Sequence, residues 1–513
     1  MGGINFFNDK AQAPQAMIRV AKPETKVVIV DETEQTTRRY SESRACRRSG
    51  FVDGPKRAKS RPLLKLSGFV DNTLVAMHAE TFFRGLVGAQ KNGRFTGISS
   101  ICSSHRFVLE AAILQAAADG LPLLVESTVN QVNQFGGYSA MRPTDFRNLV
   151  ESVAASLQFP KDRIILGADH LGPYPWRMDS APRAMAKAEE LVAESVRAGY
   201  SKIHLDASML LAGDDAASGG LDPRTAADRQ GHLAARAELS FDELLRKNPG
   251  ASPPVYVIGT DVPPPGGIRS SGEAVPVTQA RDFLDTVDLC KEAFLRRGLN
   301  DAWSRVCAVV AQPGVEYGDH GVHDYDPARA ADLIRAAREC PGIVIEGHST
   351  DYQKPALLRR LVQDGVAILK VGPALTFALR ECLFSLELIE RELLPSIPGA
   401  SACHLADTLE QAMINDPRLW EDYYQGTESE KRLARKYSYS DRSRYYWNVP
   451  AVKTAMDRLL SNLAATPIPL SLLSQFLPLQ YQTVREGRIV PDVTSLLHES
   501  VRIVLRGYSE AVR

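Results

Sequence analysis

Acids, histidines and lysines in this 513-residue sequence gather at the ends of short apolar runs. Eight such ends read CSSH (Cys102 to His105), EST (Glu126 to Thr128), GADHLGP (Gly167 to Pro173), HLDAS (His204 to Ser208), GTD (Gly259 to Asp261), QPGVE (Gln312 to Glu316), EGHSTD (Glu346 to Asp351) and KVGPALT (Lys370 to Thr376). Side chains alternate along a strand, so His204 and Asp206 would share one face, as would Glu346 and His348. Asp169 and His170 are neighbours, and both can lean inward only where a strand turns into a loop, one holding a cation while the other moves a proton. His170 and His348, with one or two of the carboxylates Asp206, Glu346 and Glu316, would make a nitrogen and oxygen site suited to zinc, manganese or ferrous iron, with a position left for a substrate oxygen. A single histidine at such a place more often bonds a loop; several at successive ends reverse that weighting. After the last run, Gly372 to Thr376 opens a helical stretch. Its free amides would make an anion site, or the segment is a plain strand-to-helix turn capped by Thr376.

The rhythm around these residues indicates what must position them. Gly97 to Cys102, Leu121 to Glu126, Arg163 to Ala168, Lys202 to Asp206, Val255 to Gly259, Val306 to Ala311, Gly342 to Glu346 and Val366 to Val371 read as strands. Helix-period segments separate them, among them Arg106 to Asp119, Ala181 to Ala198, Thr278 to Arg297, Pro327 to Glu339 and Pro355 to Gln363. Strict alternation gives a parallel sheet with crossover helices, and eight units over roughly 300 residues predict a closed TIM (β/α)8 barrel, whose reacting groups sit where the strands end. The competing architecture is an open doubly wound sheet, which would carry G-x-G-x-x-G after its first strand; this chain has none. The nearest match to a P-loop, GAQKNGRF (Gly88 to Phe95), has Arg94 and Phe95 where lysine and a hydroxyl residue are needed. The glycine-rich DVPPPGG (Asp261 to Gly267) reads as a rigid loop near the mouth.

The expected organisation is a disordered or spurious extension over 1–76, with Met77 as an alternative start, the barrel over 77–395 and a helical C-terminal extension over 396–513. Residues 1–76 hold 14 Lys and Arg against 8 Asp and Glu, with almost no apolar periodicity from Arg38 to Arg61, so that stretch cannot offset its ordering entropy. In the extension, RLARKYSYSDRSRYYW (Arg432 to Trp447) would clamp a phosphate across a subunit boundary, or pack its aromatics on the barrel with its arginines in solvent. The whole chain balances 61 basic against 61 acidic residues, which favours neither nucleic acid nor an anionic membrane as partner. No apolar run approaches the roughly 20 residues of a membrane span and no signal core stands at the N-terminus, so a cytoplasmic location is expected. The seven cysteines are scattered without C-x-x-C spacing and read as reduced thiols.

The strings VGAQKNG, GISSICSSH, NQVNQFGGY, GADHLGP, KIHLDASM, QPGVE, GHSTDYQ, AILKVGPALTFALRE, YSYSDRSRYYW and PLQY, in this order from about Thr81 to the C-terminus, closely resemble the GatZ/KbaZ family. That family comprises tagatose-bisphosphate aldolase subunits and related tagatose 6-phosphate 4-epimerases. The resemblance implies a TIM barrel, a phosphorylated ketohexose as substrate and one of two roles. One is a stand-alone D-tagatose 6-phosphate 4-epimerase of galactitol or tagatose catabolism, a cytoplasmic protein and a candidate homo-oligomer, using a divalent ion such as zinc or manganese. The other is a non-catalytic subunit required by a class II aldolase catalytic subunit.

More distantly, class II aldolases carry an Asp-His pair after the third strand, where Asp handles protons and His binds zinc. Asp169 and His170 look like this pair, Asp206-Ala207-Ser208 like the motif after the fourth strand, and His348 like another zinc histidine. By this likeness Asp169 and Asp206 are the expected catalytic acids, and the loop of Lys370, Gly372, Ala374 and Thr376 the expected phosphate site. His170, His348 and Glu316 are the expected metal ligands. The sixth strand departs from the aldolase pattern, with Gln312 to Glu316 where a Gly-Thr-x-His-Gly context would stand. Either Glu316 substitutes, or His320 reaches round, or no metal is held.

Overall fold

β-branched and aliphatic residues dominate the eight runs, and each becomes a strand in the computed structural model: β1 (Ile98–Ile101), β2 (Leu123–Thr128), β3 (Ile164–Leu171), β4 (Lys202–Leu205), β5 (Val255–Ile258), β6 (Val306–Val310), β7 (Val344–Gly347) and β8 (Val366–Val371). Neighbouring strands all pair in parallel. Strand β8 closes on β1, with Ile98 beside Ile368 and Ile101 beside Val371, so the sheet is a closed barrel and not an open one. The structure describes residues 78–215, 220–260 and 275–513, together with two three-residue strands, Val27–Ile29 and Arg38–Tyr40, that pair antiparallel. The chain divides into Met1–Thr73 and Leu74–Arg513, and all eight barrel strands belong to the second unit. Those two strands apart, the expectations for residues 1–76, Met77 and the loop Asp261 to Gly267 lie outside the described residues.

The crossover helices begin where the sequence supplies starts. Proline opens Pro143–Ser156, Pro223–Lys247, Pro327–Glu339, Pro355–Asp364 and Pro373–Leu393, where its missing N–H forfeits no helical bond. Asp222 and Asp326 accept amide hydrogen bonds at two of these starts. Gly120 (φ 68°) and Gly365 (φ 100°) end helices in the left-handed region that favours glycine.

Two further pieces complete the barrel. Helix Ala79–Lys91 sets Phe83, Leu86 and Val87 against Ile98, Leu124, Ile165, Val255 and Val344, residues at or near the start of their strands, and so seals the end opposite the mouth. Beyond residue 395 the described chain is helical, and its last helix, Val493–Val512, lies against Arg106–Asp119, Pro355–Asp364 and Pro373–Leu393. The Tyr508 hydroxyl donates to the Thr350 carbonyl at 2.8 Å and the Gly97 amide to the Val512 carbonyl at 2.9 Å, tying this extension to the loop after β7 and to the start of β1. The six described cysteines are free thiols. Among the described residues no helix is long and apolar enough to cross a membrane.

Candidate functional site

Ion pairs run across the barrel between strands that are not neighbours, which places their side chains in its interior. Lys202 on β4 holds Glu126 of β2 at 2.8 Å and Glu346 of β7 at 2.7 Å. Lys370 on β8 holds Glu126 at 2.8 Å and Asp169 at the end of β3 at 2.8 Å. Gly167 makes room for this network, since a Cβ there would fall 2.6 Å from Cγ of Glu126. Buried charges are tolerated only when paired in this way.

Above the network stand three imidazoles. The ring centres of His170 and His348 lie 4.9 Å apart, and each is 5.1 Å from that of His204. Asp169 Oδ1 is 3.0 Å from His204 Nδ1 and 3.9 Å from His348 Nε2, while Glu346 Oε1 is 3.1 Å from His348 Nε2. His170 has φ 52°, and this left-handed turn directs its amide to His204 Nδ1 at 3.1 Å and its ring to Asp206, 2.8 Å from Nδ1. Gly172 follows because any Cβ there would meet the Asp206 carbonyl at 1.6 Å.

The electrostatics divide these groups. Burial would push Asp169 and Glu346 up, but His170 and Lys370 around the first, and Lys202 and Lys370 around the second, hold both carboxyls well below the usual range. Burial likewise opposes the ionised form of Asp206, yet its bond to His170 keeps it down to about 2. His170 is raised, because Asp169 and Asp206 outweigh burial, and it carries a proton more readily than an ordinary histidine. Burial pushes His348 down to about 4, leaving a neutral ring with a free lone pair.

These residues suit a divalent cation. Asp169, His204, Glu346 and His348 each bring one donor atom to within 4.8 Å of the others, and all four are buried. Four carboxyl groups, Asp169, Asp206, Glu126 and Glu346, share the interior with two ammonium groups, leaving two negative charges in excess, or one when His170 carries its proton. His204 Nε2 is buried without a partner.

The structure sorts the expected residues. Asp169, His170, His348 and Asp206 come together, but the four-donor set contains His348 alone of the three expected ligands. His170 stands beside the set, its Nδ1 taken by Asp206. Glu316 is displaced: Gln312 accepts the amides of Gly314 and Val315 at 2.9 Å, Gly314 turns at φ 92°, and Glu316 falls in a short hairpin, accepting the Tyr317 amide at 3.0 Å. Burial raises its carboxyl to about 7. His320 is exposed. Glu346, weighed from the sequence, and His204, passed over although it shares parity with Asp206, complete the set in their place.

The loop after β8 also differs from expectation. The Lys370 ammonium is directed to carboxylates inside the barrel. The amides of Gly372 and Ala374 both donate to Asp351 Oδ1, at 3.0 and 2.8 Å, and the Thr376 hydroxyl donates to Asp441 at 2.6 Å. The anion hole is filled by the protein's own acids.

The mouth is lined by Asp169, His170 and His348 together with Gln131, Tyr138, Tyr445 and Arg444. Arg444 comes from the extension, so the Arg and Tyr segment reaches the site of its own chain. A separate hollow lined by Lys291, Trp303 and Cys340 lies among outer helices, away from this chemistry.

Fold and site together define a (β/α)8-barrel protein with a buried acid, imidazole and cation-type centre at its C-terminal mouth. The family model described as D-tagatose-1,6-bisphosphate aldolase subunit GatZ/KbaZ-like matches residues 83–513, and the chain belongs to that family. The crystal structure of a probable tagatose 6 phosphate kinase from Sinorhizobium meliloti 1021 is 44% identical, covers 81% of this chain and 100% of its own, and superposes with a TM-score of 0.73. The YdjI aldolase from Escherichia coli K12 is 12% identical over 75% of this chain and 98% of its own, with a TM-score of 0.35, too loose a likeness to carry chemistry.

Proposed function

We propose that this chain is a D-tagatose 6-phosphate 4-epimerase of tagatose or galactitol catabolism in the cytoplasm, interconverting D-tagatose 6-phosphate and D-fructose 6-phosphate by breaking and re-forming the C3–C4 bond. The observation that carries this reading is the two-sided placement of Asp169. Its Oδ1 joins the donors of His204 and His348, while Oδ2 faces His170 Nε2 at 3.7 Å in the open mouth. A divalent ion held by Asp169, His204, Glu346 and His348 would supply Lewis-acid polarisation of the C2 ketone. Asp169 Oδ2 takes the proton of the C4 hydroxyl, C4 becomes an aldehyde carbon, and the C3–C4 electron pair moves onto the C2 carbonyl. His170, fixed by Asp206 and favoured in its protonated form by Asp169 and Asp206, steadies the developing negative charge. The aldehyde turns its other face, the bond re-forms, and Asp169 returns the proton to the C4 oxygen. Direct removal of the C4 hydrogen is disfavoured because that carbon is not adjacent to the ketone.

One observation favours a second role, a non-catalytic subunit of a class II tagatose-bisphosphate aldolase. Lys370 already lies 2.8 Å from Asp169 Oδ1 and weakens it as a base. Phosphoryl transfer is not proposed: the P-loop-like stretch at Gly88 to Phe95 follows from the helix that plugs the opposite end of the barrel. The test is NMR of the purified, zinc- or manganese-supplemented chain with D-tagatose 6-phosphate. Formation of D-fructose 6-phosphate without a partner is expected. No turnover alone, with activation of a class II aldolase on mixing, transfers the assignment to the subunit role.

A further inference from the structure

A ligand with a phosphate entering this mouth meets a surplus of negative charge around Asp169, and the amides after β8 are already engaged by Asp351. Arg444 lines the same cleft. Among the described residues it has no carboxylate within ion-pair distance, although the neighbouring arginine Arg380 pairs with Asp441 at 2.9 Å. Backbone fixes it in place: Asp441 adopts φ 43°, the turn Arg442–Tyr445 follows, and the Arg444 guanidinium donates to the carbonyls of Ser440 and Asp441.

Two phenols flank the guanidinium. The Tyr445 hydroxyl accepts from Arg444 at 2.6 Å, which leaves its own proton available to donate outward. Tyr138 stacks edge-on against the Tyr445 ring, with centres 4.6 Å apart. Burial raises its phenol, so Tyr138 also remains a donor. A cation held by carbonyls, with no acid at ion-pair distance and flanked by hydroxyl donors, is built for an anion.

We infer that Arg444, with Tyr138 and Tyr445, forms the subsite that takes the phosphate of the sugar phosphate, and that the C-terminal extension supplies it. The inference rests on the reading that the ligand is a phosphorylated sugar, and it replaces the loop after β8 as the phosphate anchor. The phosphate then shares the cleft with Asp169, which acts on the reacting carbons.

The experiment is calorimetric titration of the full chain with D-tagatose 6-phosphate, inorganic phosphate and unphosphorylated D-tagatose. Arg444→Gln should weaken the first two by roughly 10- to 100-fold, as expected for hydrogen bonds to a charged group, and leave D-tagatose unchanged. Loss for the sugar phosphate alone also supports the subsite and identifies it as specific for the ester. Unchanged sugar phosphate affinity overturns the proposal, as does tighter phosphate binding in Asp351→Asn with none lost in Arg444→Gln, which would put the anion on the Gly372 and Ala374 amides. If Arg444→Gln does not fold, Arg444→Lys carries the test: it keeps the charge, lacks the fork, and should bind the ester several-fold more weakly, with wild-type binding again overturning it. Because binding is read directly, absence of turnover in a chain that binds phosphate through Arg444 would sink the epimerase assignment and leave the subsite standing.

Discussion

Around Asp169, four carboxyl groups face two ammonium groups and three imidazoles, and one ring nitrogen has no partner. At the loop after β8, a short distance along the same rim, most donors are answered: Gly372 and Ala374 by Asp351, and Thr376 and Arg380 Nε by Asp441, while Arg380 Nη2 stays buried without a partner. Both regions are polar and buried, and both stand at strand ends where barrel chemistry is expected. The first is over-supplied with acceptors and short of positive charge; in the second each acid meets donors of the protein itself. The difference locates ligands by what remains uncompensated, a cation beside Asp169 and an anion beside Arg444, and not by the presence of a loop of familiar shape.

That contrast can be broken from either side. The largest effect is expected at Asp169→Asn, which keeps the shape but removes the base: the rate of D-tagatose 6-phosphate conversion followed by NMR should fall on the order of 10³-fold, with circular dichroism unchanged. A wild-type rate would remove Asp169 from the mechanism. On the closed side, Arg380→Met should leave Asp441 buried against Thr376 and Ser443 without its counter-ion. The expected cost is about 3–5 kcal/mol in urea unfolding, because breaking a buried pair strands a charge. A loss below about 1 kcal/mol would mean that Asp441 is neutral or hydrated and that this region is less closed than its bonds suggest. Zinc or manganese should stabilise the open side instead. At about 1,000 times its dissociation constant the ion should add about 4 kcal/mol, and His204→Ala, which removes one of the four donors, should lose most of that gain. Equal stabilisation of both proteins would move the cation away from this cluster.

The barrel was legible because parallel strands separated by helices leave a period visible in the sequence, and every run from Gly97 to Val371 overlaps the strand assigned to it. The candidate site was legible in part. His170 and His348 meet, as their strand ends implied. The four-donor set departs from the expected ligands where alternation stops: at φ 52° His170 leaves the strand pattern and turns its ring to Asp206, while His204 stands in the set. Glu316 lies outside that set for a similar reason, since the turn at Gly314 carries it past the strand end. Asp351 and Arg444 were beyond reach of local reasoning. One caps a helix 22 residues further on, and the other reaches the mouth from an extension whose path no local pattern encodes.

The smallest predicted effect concerns Asp351 and sharpens the meaning of a closed anion hole. Burial raises its carboxyl from the ordinary 3.8 to about 6, even though the Ala374 and Gly372 amides and Arg444 pull the other way. The folded chain therefore binds this proton more tightly than the unfolded chain. The stability it contributes is complete below pH 3.8 and is lost as pH rises through about 6. Asp351→Asn keeps an oxygen for the two amides and has no proton to lose. Relative to wild type it should gain stability between pH 4 and pH 7, by up to about 3 kcal/mol, as measured by urea unfolding at each pH. A difference independent of pH would show that the two amides bind Asp351 as a fully ionised carboxylate. The loop would then tolerate negative charge well enough for a phosphate to compete with Asp351, and the contrast between the two regions would narrow.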